Sequence, residues 1–242
     1  MTLMPLTDQR VVVLGGTSGI GLATGLQAAG LGARIVVVSR SAARVRAALE
    51  ALPEGCTGGT ADLDDDAQVS ALFERIGPFD HLVYTAGEPL RMMPIDQMDV
   101  AAARDFFGLR YFGALRALGA ARPYLRATGS VVLTSGTAAE RAGPGWVVGA
   151  SVCGAVESMV RTAAVELAPI RVNAVRPGVV RSPVWARLPE AEREGMYRQI
   201  AEANPLGRVG EVEDVAEAYV YLLRQGYTTG TVLTVDGGSL LA

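Results

Sequence analysis

RVVVLGGTSGIGLATGLQAAG, residues 10–30, decides how the chain is read. A valine-rich run passes through a glycine-rich turn into an apolar, alanine-rich segment of helical character, giving strand, turn and helix in immediate succession. Within GGTSGIG, residues 15–21, Gly15 allows a tight turn, Gly19 lets the backbone approach a pyrophosphate, and Gly21 lets the helix pack closely on the strand. Free N–H groups at the start of such a helix bind phosphate. Glycine alone is a weak signal, because any strand-to-helix turn can use it. The strand before it and the helix after it are what make the loop specific.

Outward from this unit the same alternation continues. RIVVV (34–38), HLVY (81–84), SVVLT (130–134), IRVNAV (170–175) and VLTV (232–235) read as strands, with a weaker one near 56–61. They are rich in valine and isoleucine and almost free of charge, as parallel strands covered on both faces must be. Helical patterns fill the intervals, at about 19–30, 42–51, 65–75, 97–122, 150–168 and 211–224. Strict alternation predicts an α/β fold of the Rossmann type, a doubly wound parallel sheet of about seven strands with helices on both faces. The whole chain, 1–242, is expected to form one domain. Residues 183–208, helical in character and containing three prolines, break the rhythm where such folds place a substrate lid.

Composition narrows the function. The chain has 242 residues, 50% of them hydrophobic, enough for one large core. Its formal net charge is -3 and its basic residues are scattered, so nothing points to nucleic acid or an anionic membrane surface, and the expected partner is a small molecule. Two cysteines, Cys56 and Cys153, make no disulfide framework, and no leader pattern opens the sequence, so a cytoplasmic location is expected. No apolar run approaches the length of a membrane span. No cluster suggests a metal. All 22 basic residues are arginine; lysine is absent.

The second strand ends in Ser39 and Arg40, about 20 residues past the loop, where an acidic side chain would hold a ribose 2′-hydroxyl. A guanidinium beside a hydroxyl suits a 2′-phosphate instead, which favours NADP(H) over NAD(H). The alternative is that Arg40 is a solvated residue opening the next helix.

With these motifs in view, the sequence resembles the short-chain dehydrogenase/reductase family over nearly its whole length. LGGTSGIG matches the family's glycine loop, with Leu14 at its threonine, and TADL places Asp62 at its acidic residue after the third strand. YTAG, 84–87, stands where the family has Asn-Asn-Ala-Gly, IRVNAVRPGVVRSP, 170–183, matches the segment under the nicotinamide, and TTGTVLTVDGG closes the match. The resemblance implies a cofactor held by Gly15, Thr17, Ser18, Gly19, Ile20, Gly21, Ser39, Arg40, Asp62, Leu63, Ala86, Gly87, Pro177, Gly178, Val180 and Ser182. It also implies a homotetramer or homodimer built partly on helices 97–122 and 150–168.

Chemistry in that family depends on four residues. Its serine corresponds to Ser135 in VVLTSG, but its tyrosine and lysine fall on Gly149 and Cys153, and its asparagine falls near Gly108. The tyrosine moves the proton of the substrate oxygen, and the lysine one helical turn away lowers its pKa and holds the nicotinamide ribose. Glycine donates nothing, and a neutral cysteine cannot reach as a lysine does. Such acid catalysis is worth about 10² to 10⁴ in rate. Ser135 is the leading candidate to polarise a substrate, against a plain role capping local backbone. Tyr111 is a weaker one, against core packing. Thr137 and Ser151 are nearby hydroxyls able to orient a water. Cys153 reads as a small buried residue and His81 as structural. Trp185, Leu188, Met196, Tyr197 and Ile200 either cover an apolar substrate or pack on the body of the domain.

The leading expectation is an atypical NADP(H)-dependent oxidoreductase acting on a carbonyl or alcohol, or a conjugated double bond, of a small apolar metabolite. The alternatives are a catalytically silent NADP-binding sensor or subunit, and lyase or dehydratase chemistry in the same pocket.

Overall fold

Valines on alternate faces build the centre of the protein. The computed structural model describes residues 3–141 and 143–242. Its first strand, β1 (Arg10–Leu14), lies among β2 (Arg34–Ser39), β3 (Thr57–Thr60), β4 (Phe79–Tyr84), β5 (Leu125–Thr134), β6 (Arg171–Pro177) and a last strand, Val232–Val235. These seven form one parallel sheet in the order β3-β2-β1-β4-β5-β6-last. Side chains of successive strand residues point to opposite faces, so each strand feeds two cores. Val11, Val13, Ile35, Val37, Val83, Val132 and Val175 face one side; Val12, Leu14, Val36, Val38, Leu82, Val131 and Leu133 face the other.

Helices cover both faces. The first core is closed by α1 (Gly19–Gly30), α2 (Ala42–Ala51) and α8 (Val212–Arg224). The second is closed by α3 (Asp66–Ile76), α4 (Val100–Phe107), α5 (Gly113–Ala121) and α6 (Val147–Glu166). The chain winds outward from β1 to β3, then crosses to β4 on the opposite side of β1. Strand order reverses there, and a crevice opens beyond the carboxyl ends of the strands.

One element departs from the sequence pattern, and two others gain detail. The helix expected over 97–122 is interrupted by a π-turn at Gly108–Phe112, between α4 and α5. The weak strand near 56–61 is TGGT, 57–60, whose glycines leave room for Val45, Leu49 and Leu72. The segment 183–208 contains a 3₁₀ turn at Pro183–Trp185 and a helix, α7 (Glu190–Ala203), flanked by a short ladder of β7 (Val180–Arg181) with β8 (Gly210–Glu211); the last strand is β9 (Val232–Val235). Among the described residues, no helix is long and apolar enough to cross a membrane.

Candidate active site

The crevice at the switch point is a cleft of about 940 Å³ lined by residues drawn from Gly15 through Ala186. At its floor the turn after β1 passes so close to the end of β4 that side chains are excluded. A Cβ on Gly15, whose φ is +88, would lie 2.6 Å from the Ala86 nitrogen, and one on Gly21 would lie 2.4 Å from the Gly15 carbonyl oxygen. Both glycines are therefore required by the crossing itself. Thr17, Ser18, Gly19 and Ile20 complete this wall.

One end of the cleft is cationic. Ser39, Arg40, Ser41 and Arg44 line it, together with Val38, Ala61 and Leu63. Ser41 caps α2 by accepting the Arg44 N–H at 3.3 Å, which fixes the start of the helix beside Arg40. Arg44 was missed in the sequence, although it stands one helical turn beyond Arg40. Asp62 is not part of this wall: its carboxylate accepts the Asp64 N–H at 3.1 Å and shapes its own turn, while its neighbours Ala61 and Leu63 face the cleft.

At the other end, Ala86, Gly87, Pro177, Gly178, Val180, Ser182, Ser135, Gly149 and Cys153 come together. Ser135 follows β5, and its hydroxyl lies 2.7 Å from Glu157 Oε1. Burial raises the pKa of the Glu157 carboxyl, but hydrogen bonds from Arg176 and Ser135 outweigh it and hold the group below the ordinary glutamate value. Ionised, Glu157 can only accept, so Ser135 donates to it and turns its lone pairs elsewhere. Arg176, on β6, closes the pair with Nε at 2.8 Å and Nη2 at 2.7 Å, and its Nη1 reaches the half-exposed Glu140 at 2.5 Å. This Ser135–Glu157–Arg176–Glu140 chain was not anticipated from the sequence. Its signal was a glutamate two helical turns past Gly149 and an arginine inside a valine strand.

Trp146 occupies the space beside Gly149: a Cβ there would lie 3.2 Å from Trp146 Cε3. Trp146 in turn meets Trp185 edge-on, ring centroids 6.3 Å apart, and both tryptophans line the cleft. Burial pushes the Cys153 thiol upward, with Arg110 nearby opposing the shift. Arg110, on the π-turn, reaches the cleft from the opposite helix. Its guanidinium lies over the Phe106 ring and against Gly87, where a Cβ would sit 2.7 Å from Nη1.

Several candidates lie elsewhere. Tyr111 packs edge-on against Phe107 and Phe112 and does not line the cleft, because the π-turn sends Arg110 inward in its place. Tyr84 does line it, but its hydroxyl donates to the Leu109 carbonyl at 2.5 Å and burial drives its pKa far up. Ser151 donates to the Val147 carbonyl, whereas Thr137 lines the cleft. Gly108 lies toward Asp64. His81 is buried between Ser130 and Gln9, and burial lowers its pKa to about 4. Of the lid residues, Trp185 faces the cleft, while Tyr197 is buried under the Arg181 guanidinium.

A family model described as Enoyl-(Acyl carrier protein) reductase matches residues 15–239. The chain belongs to the short-chain dehydrogenase/reductase family. It is 34% identical to the short-chain dehydrogenase/reductase ATR9 of Stachybotrys chlorohalonatus (strain IBT 40285), over 98% of each chain. Among solved structures it resembles a small-chain dehydrogenase in complex with NADPH, 33% identical with a TM-score of 0.83 over 97% of this chain and 100% of that one. It also resembles MalC Reductase/Diels-Alderase from Malbranchea aurantiaca, 28% identical with a TM-score of 0.91 over 98% of both chains.

Proposed function

We propose that this family member is an NADP(H)-dependent oxidoreductase acting on a carbonyl or alcohol, or a conjugated double bond, of a small apolar molecule, with a proton donor other than the family's tyrosine. The observation that carries the reading is the contrast between the two ends of one cleft. The loop end excludes side chains so that a backbone can meet a pyrophosphate, and four donors without a carboxylate, Ser39, Arg40, Ser41 and Arg44, stand where a ribose phosphate would lie. These residues fit NADP(H), which when bound supplies or accepts hydride. The NADPH found with a structural relative supports the same choice.

The other end offers no phenol at Gly149 and no cation at Cys153. Ser135 is held by Glu157 as a hydrogen-bond donor and so presents acceptor lone pairs to the cleft; a proton for the substrate then comes from water or from a displaced group. A second, non-redox reading, lyase or dehydratase chemistry in the same pocket, draws support from the name of the MalC protein, Reductase/Diels-Alderase, which joins a redox and a non-redox activity in that relative. An oligomer belongs to the proposal as well, since Phe112 and Leu115 by α5 and Val165 on α6 are exposed.

The test is a fluorescence titration with NADPH and with NADH, followed by NADPH oxidation across a panel of aldehydes, diketones and enones. NADPH is expected to bind at least tenfold more tightly than NADH, and Arg40→Ala with Arg44→Ala to erase that preference, each charge-assisted hydrogen bond being worth about 1.5–3 kcal/mol. Equal affinities in the wild-type protein would overturn the cofactor assignment. Tight binding with no oxidation anywhere in the panel would overturn the redox assignment.

A further inference from the structure

Arg110 is a partly buried cation that the proposed function does not use. Its Nη2 donates to the Glu88 carbonyl oxygen, and its Nε is buried without a hydrogen-bond partner, 3.5 Å from a Glu88 Oε2 that is equally buried and unpartnered. Nη1 finds no acceptor among the described residues. The guanidinium directs two of its nitrogens at the segment after β4, through the Glu88 carbonyl and carboxylate, and keeps Nη1 as a spare donor. This one lies across Gly87, a position where any side chain would displace it, and lines the cleft opposite the gap at Gly149 and Cys153. Arg110 and Cys153, one helical turn beyond Gly149, line the same cleft, so the guanidinium stands at its reacting end.

The surroundings define what the cation faces. Leu90, two residues after Glu88, donates its N–H to the Val184 carbonyl at 3.0 Å, so the Arg110 wall is continuous with the 3₁₀ turn that carries Trp185. Trp185 meets Trp146, which stands over Gly149. Phe106, Leu90, Pro89 and Val184 add apolar surface to the same lining. Arg110 thus keeps Glu88 as a countercharge at 3.5 Å on its Nε side, while its Nη1 side meets a wall of aromatic and apolar groups, where reduced hydration strengthens its hold on an anion.

We propose that Arg110 forms an oxyanion subsite, which takes the carboxylate, enolate or polarised carbonyl oxygen of a planar conjugated molecule lying against Trp146 and Trp185. The inference rests on the cleft being the substrate site and deepens that reading by naming the substrate class.

The experiment uses trans-cinnamate and its neutral amide, cinnamamide, as probes. Binding is measured by calorimetry and by quenching of protein fluorescence, for which the only two tryptophans of the chain, Trp146 and Trp185, are built-in reporters. Unliganded and NADP⁺-loaded protein are both titrated. Cinnamate is expected to bind more tightly than cinnamamide and to quench the tryptophans. Arg110→Met should weaken cinnamate about tenfold or more and leave cinnamamide and NADP⁺ unchanged. Arg110→Lys, which keeps the charge but loses the planar fork, should fall between and supplies the reading if the methionine variant does not fold. Arg141→Met, removing another, exposed arginine of the same cleft, should bind as wild type. Equal binding of acid and amide, no loss in either Arg110 variant, or a loss confined to Arg141→Met would overturn the proposal. Failure of NADP⁺ to bind would count against the cofactor reading alone, since the titration of unliganded protein still decides this one.

Discussion

Replacing Glu157 with glutamine tests whether the buried Ser135–Glu157–Arg176 chain holds this end of the cleft together. The glutamate carboxylate accepts from Ser135 Oγ at 2.7 Å, Arg176 Nε at 2.8 Å and Arg176 Nη2 at 2.7 Å, with both charged side chains about 10% exposed. A glutamine keeps one acceptor but turns an amide donor toward a guanidinium that can only donate. Removing one partner of a buried ion pair costs about 3–5 kcal/mol. Glu140, 2.5 Å from Arg176 Nη1 and half-exposed, leaves the arginine a countercharge and places the loss at the lower end, about 3 kcal/mol. For a chain of this length each kcal/mol moves Tm by about 2–4 °C, so Glu157→Gln should lower it by about 6–12 °C near neutral pH. The pH dependence follows from the depressed carboxyl. Such a group stabilises the fold above its unfolded pKa, about 4.3, and loses that contribution as pH falls through the lower folded value. The gap between variant and wild type should therefore be full at pH 7.5 and narrow below about pH 4. Thermal unfolding followed by circular dichroism at both pH values measures it, and a shift under 2 °C at pH 7.5 would refute the assignment of the chain as a stabilising unit.

Gly15→Ala places a Cβ 2.6 Å from the Ala86 nitrogen at a φ of +88, so NADPH affinity should fall at least tenfold, and the protein should lose stability by about 1–3 kcal/mol. Gly119→Ala in α5, where a Cβ meets nothing within 4 Å, is the matched control and should be neutral or stabilising by up to about 1 kcal/mol; equal effects in titration and melting would show that the crossing is not tight. Restoring the family pair as Gly149→Tyr with Cys153→Lys should leave NADPH oxidation no faster, because Trp146 holds the space the ring needs. Adding Trp146→Ala should then permit a gain, and a gain without it would show that the space is already open.

What the sequence revealed depended on how local the cause was. The valine strands alternate between two cores, and that alternation is written in RVVVL and RIVVV themselves. The glycine loop was legible for a similar reason, since the crossing with β4 leaves no room for a Cβ at Gly15 or Gly21. The break at Gly108–Phe112 was not legible, because GLRYF carries neither proline nor a polar side chain that competes for the backbone, and the pattern continues as helix on either side. The same break misdirected Tyr111. A regular helix read from sequence gives no account of which of two neighbouring residues a π-turn sends inward, and here it is Arg110. For Asp62 nothing in the sequence signals that one of its carboxylate oxygens shapes its own turn by accepting the Asp64 N–H. Glu157 and Arg176 each looked like an isolated charge on a buried element. Only the contact of α6 with β6 makes them a pair.

Trp146 at the N-cap of α6, and Gly149, Cys153 and Glu157 on it, stand three, four and four residues apart, and so lie toward one face. The family's chemistry sits on the middle two positions. On the proposed reading those two positions are emptied, while the positions above and below are occupied: Trp146 packs beside Gly149, and Glu157 accepts the Ser135 hydrogen bond. Arg110 then brings in the positive charge that a lysine-free chain supplies by guanidinium. The exchange has a chemical consequence for the proposed reaction. A guanidinium hydrogen-bonds to an oxyanion but does not give up its proton near neutral pH. Ser135 is committed to a carboxylate, and Tyr84 is bound to the Leu109 carbonyl. Burial makes the Cys153 thiol a still weaker acid than a free cysteine. For the proposed reaction, these groups favour holding negative charge on a substrate oxygen over discharging it, so the proton is taken from water or a displaced group.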